Sequence, residues 1–99
     1  MPEILITEKP PGGKLFRVKL RLEGGRIARL RVEGDFFIHP EEALEAIEAV
    51  FLGGPATKRA VGEMLDSAVQ SHPAQWFGIT PDDLKAAIEK GIQEAGHGE

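Results

Sequence analysis

Residues 14–34 read KLFRVKLRLEGGRIARLRVEG, and the reading of this stretch decides the fold. Apolar and polar side chains alternate through its first half. Phe16, Val18, Leu20 and Leu22 fall on one face, and Arg17, Lys19, Arg21 and Glu23 fall on the other. A period of two is the mark of a half-buried strand. Gly24-Gly25 breaks the run, and a second alternation sets Ala28, Leu30 and Val32 against Arg29, Arg31 and Glu33. The two runs make an antiparallel hairpin whose register can be tested by parity, because directly opposed residues share a face. A two-residue loop at Gly24-Gly25 puts Leu20 against Arg29 and Val18 against Arg31, which mixes apolar and basic groups. A loop of odd length restores the match: Leu20 then opposes Ala28 or Leu30, and Val18 opposes Leu30 or Val32. The expectation is a three-residue turn with a glycine at positive φ in a bulge. Ile27 is then the one apolar residue left on the basic face.

Upstream, Ile4-Leu5-Ile6 is a candidate short edge strand, separated from the hairpin by Pro10-Pro11-Gly12-Gly13. Downstream the period changes. His39-Pro40-Glu41-Glu42 reads as a helix start, with proline at the first helical position and glutamates at the positive end of the dipole. Leu44, Ile47, Val50 and Phe51 recur at helical spacing and are expected to face the core, and Gly53-Gly54-Pro55 stops the helix. A second helix runs from Thr57 to roughly Gln70, with Val61, Met64, Leu65 and Ala68 inward. Ser71-His72-Pro73 opens a connection carrying Trp76 and Phe77, which read as a core plug. Thr80-Pro81-Asp82-Asp83 is a capped helix start, and Leu84, Ala87, Ile88, Gly91, Ile92 and Ala95 form the buried stripe behind it. Gly96 to Glu99 reads as a frayed tail. Strands first and helices after is the order of an α+β fold: a small antiparallel sheet over roughly residues 3–38, covered on one face by about three helices over roughly 40–95.

The 99 residues are expected to form one domain. A domain this small is marginally stable, and a partner that binds only its folded form stabilises it further. There is no cysteine, which excludes a disulfide framework, a thiolate metal site and a cysteine nucleophile. No apolar run matches a signal-peptide core or a membrane span, so the expected location is the cytoplasm. The net charge of −4 conceals an asymmetry. Residues 14–33 carry seven basic side chains against two acidic, whereas residues 34–99 carry four against twelve. Arg17, Lys19, Arg21, Arg29 and Arg31 thus form a basic sheet face on an acidic body. That face is either plain solvated surface or a dock for something acidic.

The usual catalytic constellations are missing. His39, His72 and His97 stand far apart, and none lies at metal-ligand spacing. There is no G-x-S-x-G elbow, H-E-x-x-H pair or phosphate loop ending in GK[ST]. Glu41/Glu42 and Asp82/Asp83 fall in first helical turns, where the dipole accounts for them. Basic strands without interleaved aromatics, in a chain of net negative charge, are weak evidence for nucleic-acid binding, and none is expected. Two segments ask for more than a structural role. In Pro10-Pro11-Gly12-Gly13-Lys14, adjacent glycines offer backbone N–H groups beside a mobile cation, which can suit a phosphate or carboxylate. In Gly34-Asp35-Phe36-Phe37, two consecutive phenylalanines after a tight turn imply either an apolar surface patch or a core corner.

These two segments carry a resemblance. Pro11-Gly12-Gly13-Lys14-Leu15, the alternating hairpin, Gly34-Asp35-Phe36-Phe37-Ile38-His39-Pro40 and then Leu44, Glu48 and Leu52-Gly53 resemble the carboxy-terminal accessory domain of lipoate–protein ligases over roughly residues 10–55. In that family a large catalytic domain makes lipoyl-adenylate from lipoate and ATP and passes the lipoyl group to a lysine of an acceptor domain. The resemblance implies a non-catalytic small subunit, needed for the adenylation half-reaction and made as a separate chain. Its partners would be the catalytic ligase subunit and, indirectly, lipoyl-acceptor proteins, with neither nucleic acid nor membrane. It implies no cofactor bound to this chain alone; ATP, magnesium and lipoate belong to the complex. Gly12, Gly13, Lys14, Gly34, Asp35, Phe36 and Phe37 become the candidates that face the partner or the shared active site. The competing reading is a general interaction or regulatory module unrelated to lipoate. It would dock through the basic face and keep both phenylalanines in its core.

Overall fold

In the computed structural model, which describes residues 3–95, the hairpin forms by a different device from the one expected. β2 (Phe16–Glu23) pairs antiparallel with β3 (Arg26–Gly34), with Leu20 opposite Leu30 and Val18 opposite Val32. Glu23 opposes Arg26, so the connection is the two residues Gly24 and Gly25. Their φ values of +58° and +76° suit a tight hairpin turn that side chains resist. The odd residue lies inside β3 instead. Arg21 opposes Arg29 and Leu22 opposes Ile27, which leaves Ala28 as the extra residue of a bulge. This corrects the three-residue turn and also the placing of Ile27. The bulge turns Ile27 inward, where it is fully buried opposite Leu22, and leaves Ala28 half-buried.

β1 (Ile4–Glu8) pairs antiparallel with β2 on its other side, giving the order β1-β2-β3. Helices α1 (Glu42–Val50), α2 (Lys58–Ser71) and α3 (Pro81–Glu94) supply the cover. α3 lies on β1 and β2, α1 lies beside β3, and α2 packs against both helices. The apolar sheet face, Ile6, Phe16, Val18, Leu20, Ile27, Leu30 and Val32, meets Ile47 and Phe51 of the first helical segment, Val61 and Leu65 of α2, and Leu84, Ile88 and Ile92 of α3. Thr57 caps α2 by accepting from the Ala60 N–H at 3.1 Å. Thr80 and Asp83 cap α3 reciprocally, at 3.1 and 2.9 Å. Lys90 of α3 donates to Glu8 of β1 at 2.8 Å, and this bond raises the Lys90 pKa above its ordinary value.

Several expectations are revised. Val50 and Ala95 point to solvent, and Pro40 precedes the N-cap Glu41 instead of opening α1. The connection after α2 is not featureless: β5 (Gln75–Phe77) pairs antiparallel with β4 (Phe37–His39) in a second, two-stranded sheet. The expected tail at 96–99 lies outside the described residues. No described helix is long and apolar enough to cross a membrane.

The free edge of β3 has partners of its own. Ile27 exchanges hydrogen bonds with the loop after α1, donating to the Gly54 carbonyl at 2.9 Å and accepting from the Gly53 N–H at 2.8 Å. Further along, the Val32 N–H donates to Glu48 Oε2 of α1 at 2.8 Å. Burial of Glu48 raises its pKa, outweighing the lowering by the Val32 N–H and by Arg31 nearby. Replacing Glu48 by alanine strands the Val32 donor and is expected to cost about 1–3 kcal/mol in chemical denaturation. Glu48→Gln keeps an acceptor and should cost less. The folded chain holds the Glu48 proton more tightly than the unfolded chain does. Wild-type stability relative to Glu48→Gln should therefore be greatest in acid. It should fall as pH rises from the ordinary glutamate pKa through the raised one, and be flat above it. A difference that grows with pH over that window would contradict the burial of this carboxylate.

Candidate functional site

The glycine loop is a tight turn. The Gly13 N–H donates to the Pro10 carbonyl at 2.9 Å, and Gly12 between them has φ +73°. The next donor, the Lys14 N–H, goes to the Gly78 carbonyl at 2.8 Å. The Gly13 and Lys14 amides are therefore committed inside the chain and are not free to cradle an anion. What this loop presents is the Lys14 side chain, which is exposed and makes no ion pair among the described residues.

Gly34 marks a close crossing of two backbones. A Cβ there would collide with the Leu15 carbonyl and lie 2.6 Å from Phe16 Cα. The crossing is locked by the Asp35 N–H, which donates to the Leu15 carbonyl at 2.9 Å; the Asp35 side chain is exposed. The two phenylalanines then part. Phe36 packs half-buried against the core, while Phe37 is 50% exposed. Phe37 sits directly opposite Phe77, itself 51% exposed, with ring centroids 5.8 Å apart. His39 also stacks on Phe37, with ring centroids 6.3 Å apart. The opposite face of this ribbon, Ile38 and Trp76, turns toward the interior. Neither alternative for Phe36-Phe37 holds in full: one residue is core corner and the other is surface patch.

The fold brings Gly12, Gly13, Lys14, Gly34, Asp35, Phe36 and Phe37 to one end, through the Leu15–Asp35 and Lys14–Gly78 hydrogen bonds. It adds three residues that sequence reasoning did not assign to a site. Trp76 lines a shallow open concavity with Pro10, Pro11, Gly12 and Gly13, Phe77 completes the aromatic pair, and Gly78 supports the lysine loop. The available signal was the run Gln75-Trp76-Phe77 set between Pro73 and Gly78, a short strand bounded by turn residues.

The five basic candidates share the outer sheet face, away from the helices. Lys19 stands directly opposite Arg31 and Arg21 opposite Arg29, like charges in positions where they repel. Carboxylates offset much of this. Lys19 meets Glu33 at 3.3 Å, Arg29 meets Glu3 at 3.9 Å, and Arg21 Nε lies 3.6 Å from Glu23. The last distance is too long for a hydrogen bond, and Arg21 Nε has no other acceptor. Arg17 and Arg31 make no ion pair among the described residues.

Among the described residues no group of three histidines or carboxylates is placed to hold a metal. His39 is occupied in its stack and His72 ends α2; His97 lies outside the described residues. The two displaced pKa values have structural causes, burial for Glu48 and the bond to Glu8 for Lys90.

Together these features define an α+β domain with the exposed Lys14 and two exposed aromatic rings gathered at one end. Residues 3–88 match the family model described as the bacterial lipoate protein ligase C-terminus, and the chain belongs to that family. It is 39% identical over 44 residues to the lipoate-protein ligase A subunit 2 of Thermoplasma acidophilum; the alignment covers 44% of this chain and 47% of that protein. Its fold is similar, with a TM-score of 0.70 and 25% identity, to a chain from an archaeal lipoylation system of the same organism, described as a bi-partite lipoate protein ligase and its E2 lipoyl domain. That match covers 89% of this chain and 93% of the other.

The different environments of the two phenylalanines give a direct check. Phe36→Ala should lower the unfolding free energy by about 2–3 kcal/mol, because it removes apolar surface from the core. Phe37→Ala should cost less than about 1 kcal/mol. Equal losses in denaturant titrations would mean that Phe37 is packed inside.

Proposed function

We propose that this chain is the non-catalytic accessory subunit of a bipartite lipoate–protein ligase, and that it works in the cytoplasm with a separate catalytic subunit. One observation carries the reading: the fold similarity covers 93% of a chain belonging to a bi-partite lipoate protein ligase system, so that relative consists almost wholly of this domain. In the proposed reaction a lipoate carboxylate oxygen attacks the α-phosphorus of ATP. The new acyl–phosphate bond replaces the bond to the β-phosphate, and pyrophosphate leaves. The amine of an acceptor lysine then attacks the acyl carbon and AMP departs. The catalytic subunit would bind lipoate, ATP and magnesium.

This chain's part is positioning and closure. Its Lys14 end would cover the site, exclude water and set a positive charge near the α-phosphate as negative charge develops there. Phe37 and Phe77 would fill an apolar recess on the catalytic subunit, as exposed aromatic anchors do at interfaces. The rival reading, a module unrelated to lipoate that docks through Arg17, Lys19, Arg21, Arg29 and Arg31, has less support. It needs Phe36 and Phe37 both in the core, yet Phe37 is open, and three of its five cations already face carboxylates.

Lipoate-dependent exchange between ATP and pyrophosphate tests this. The source organism's catalytic chain is expected to show exchange only when this protein is added. Lys14→Ala should lower the exchange kcat by roughly a hundredfold, the scale of losing one aimed charge. Transfer from preformed lipoyl-adenylate should persist. Full exchange by the catalytic chain alone would remove the accessory role, and equal loss of both steps would remove the assignment of Lys14.

A further inference from the structure

Lysine is a point charge on a flexible four-carbon stem, so aiming it means restraining that stem. Here the stem rests on bare backbone. Gly78 follows β5 with φ +96°, and its carbonyl accepts the Lys14 N–H at 2.8 Å. A Cβ on Gly78 would lie 2.9 Å from Lys14 Cγ, 3.2 Å from Lys14 Cβ and 3.2 Å from Phe36 Cα. Ordinary carbon–carbon contacts are about 3.5–4.0 Å, so a methyl group there must displace the base of the lysine stem or the Phe36 backbone. The contact is equally close from the other side, since a Cβ on Gly13 would lie 2.7 Å from the Gly78 oxygen. No freely moving atom intervenes. The colliding groups are main chain and the first two carbons of Lys14, which cannot swing away as a side-chain tip can.

We propose that Gly78 is a positioning residue for Lys14. It is a platform without a side chain, on which the Cβ and Cγ of the lysine lie, so that its ammonium leaves the surface in one direction. The β4–β5 ribbon thereby acquires a task beyond presenting Phe37 and Phe77. By pairing with β4, β5 carries Gly78 to the one place where it can serve a lysine 64 positions earlier in the chain. This proposal rests on the reading of Lys14 as the cation used in activation.

The test compares Gly78→Ala with Gly53→Ala in the complex with the catalytic chain. Gly53 also has positive φ, +81°, but a Cβ there meets nothing within 4 Å. Both variants place an L side chain in a left-handed conformation and should lower Tm by a few degrees, Gly78→Ala by more because its Cβ also collides. Only Gly78→Ala is expected to reduce the exchange kcat, by about tenfold, the order of loss for a misplaced group. Its KM values for ATP and lipoate and the Kd of the complex should stay at wild-type levels. In a Lys14→Ala background, Gly78→Ala should cause no further loss, because its effect passes through the lysine. Multiplicative losses in the double variant, or wild-type kcat for Gly78→Ala, would overturn the platform. Wild-type exchange by Lys14→Ala would overturn the reading of Lys14 and the platform with it. Exchange that never depends on this chain would instead overturn the accessory role, and is seen before any variant is made.

Discussion

Side-chain parity on β3 is the condition on which the other contacts depend. A strand carries its side chains alternately up and down, so a slip of one residue exchanges its whole apolar set for its polar set. With the two-residue turn at Gly24-Gly25 alone, Leu30 and Val32 would face water and Arg29 and Arg31 would face the helices. The extra residue at Ala28 prevents this. Above the bulge Leu30 and Val32 join Leu20 and Val18 on the buried face; below it Ile27 joins Leu22 there. The helices have a continuous apolar floor because one alanine stands out of the ladder.

Much of this could be read from residues 14–34, because alternation and burial obey the same geometry. Parity required an odd residue, but a pattern of polar and apolar letters does not say where in the loop or strand that residue resides. Gly24-Gly25 accommodates a two-residue turn, since both positions lie at positive φ, and the irregularity passed to Ala28, the smallest side chain nearby. The capped start at Thr80 was legible because capping is local chemistry. The β4–β5 ribbon was not. Each strand has three residues, too few to show a period, and their pairing joins positions nearly forty residues apart. Phe37 and Phe77 could be recognised as a pair only once that register was known.

The candidate site is composite for the same reason. Gly12, Gly13 and Lys14 come from the loop before β2, Gly34 to Phe37 from the junction of β3 and β4, and Phe77 and Gly78 from the far side of α2. Sequence reading found the first two segments by their unusual composition, but not the close backbone approaches that Gly13 and Gly34 permit. Gly13 and Gly34 admit neighbouring backbone at short range; the Gly13 amide closes its own turn, and the Lys14 amide ties that loop to Gly78. The basic face shows the complementary lesson. Its five cations were plain in the letters, whereas the cross-strand positions of Glu33 and Glu3, which quiet two of them, appear only in the folded register.

The carboxylate of Glu48 and the loop from Gly53 to Ala56 have a consequence for the company this domain keeps. An uncovered outer strand is a template on which a foreign chain can lay down a further strand, the first step toward fibrils and swapped assemblies. At Ile27 and Val32 that template is already written over: the donors and acceptors an intruder would need are held by the chain's own loop and helix. The domain thereby has one flank closed to its own kind.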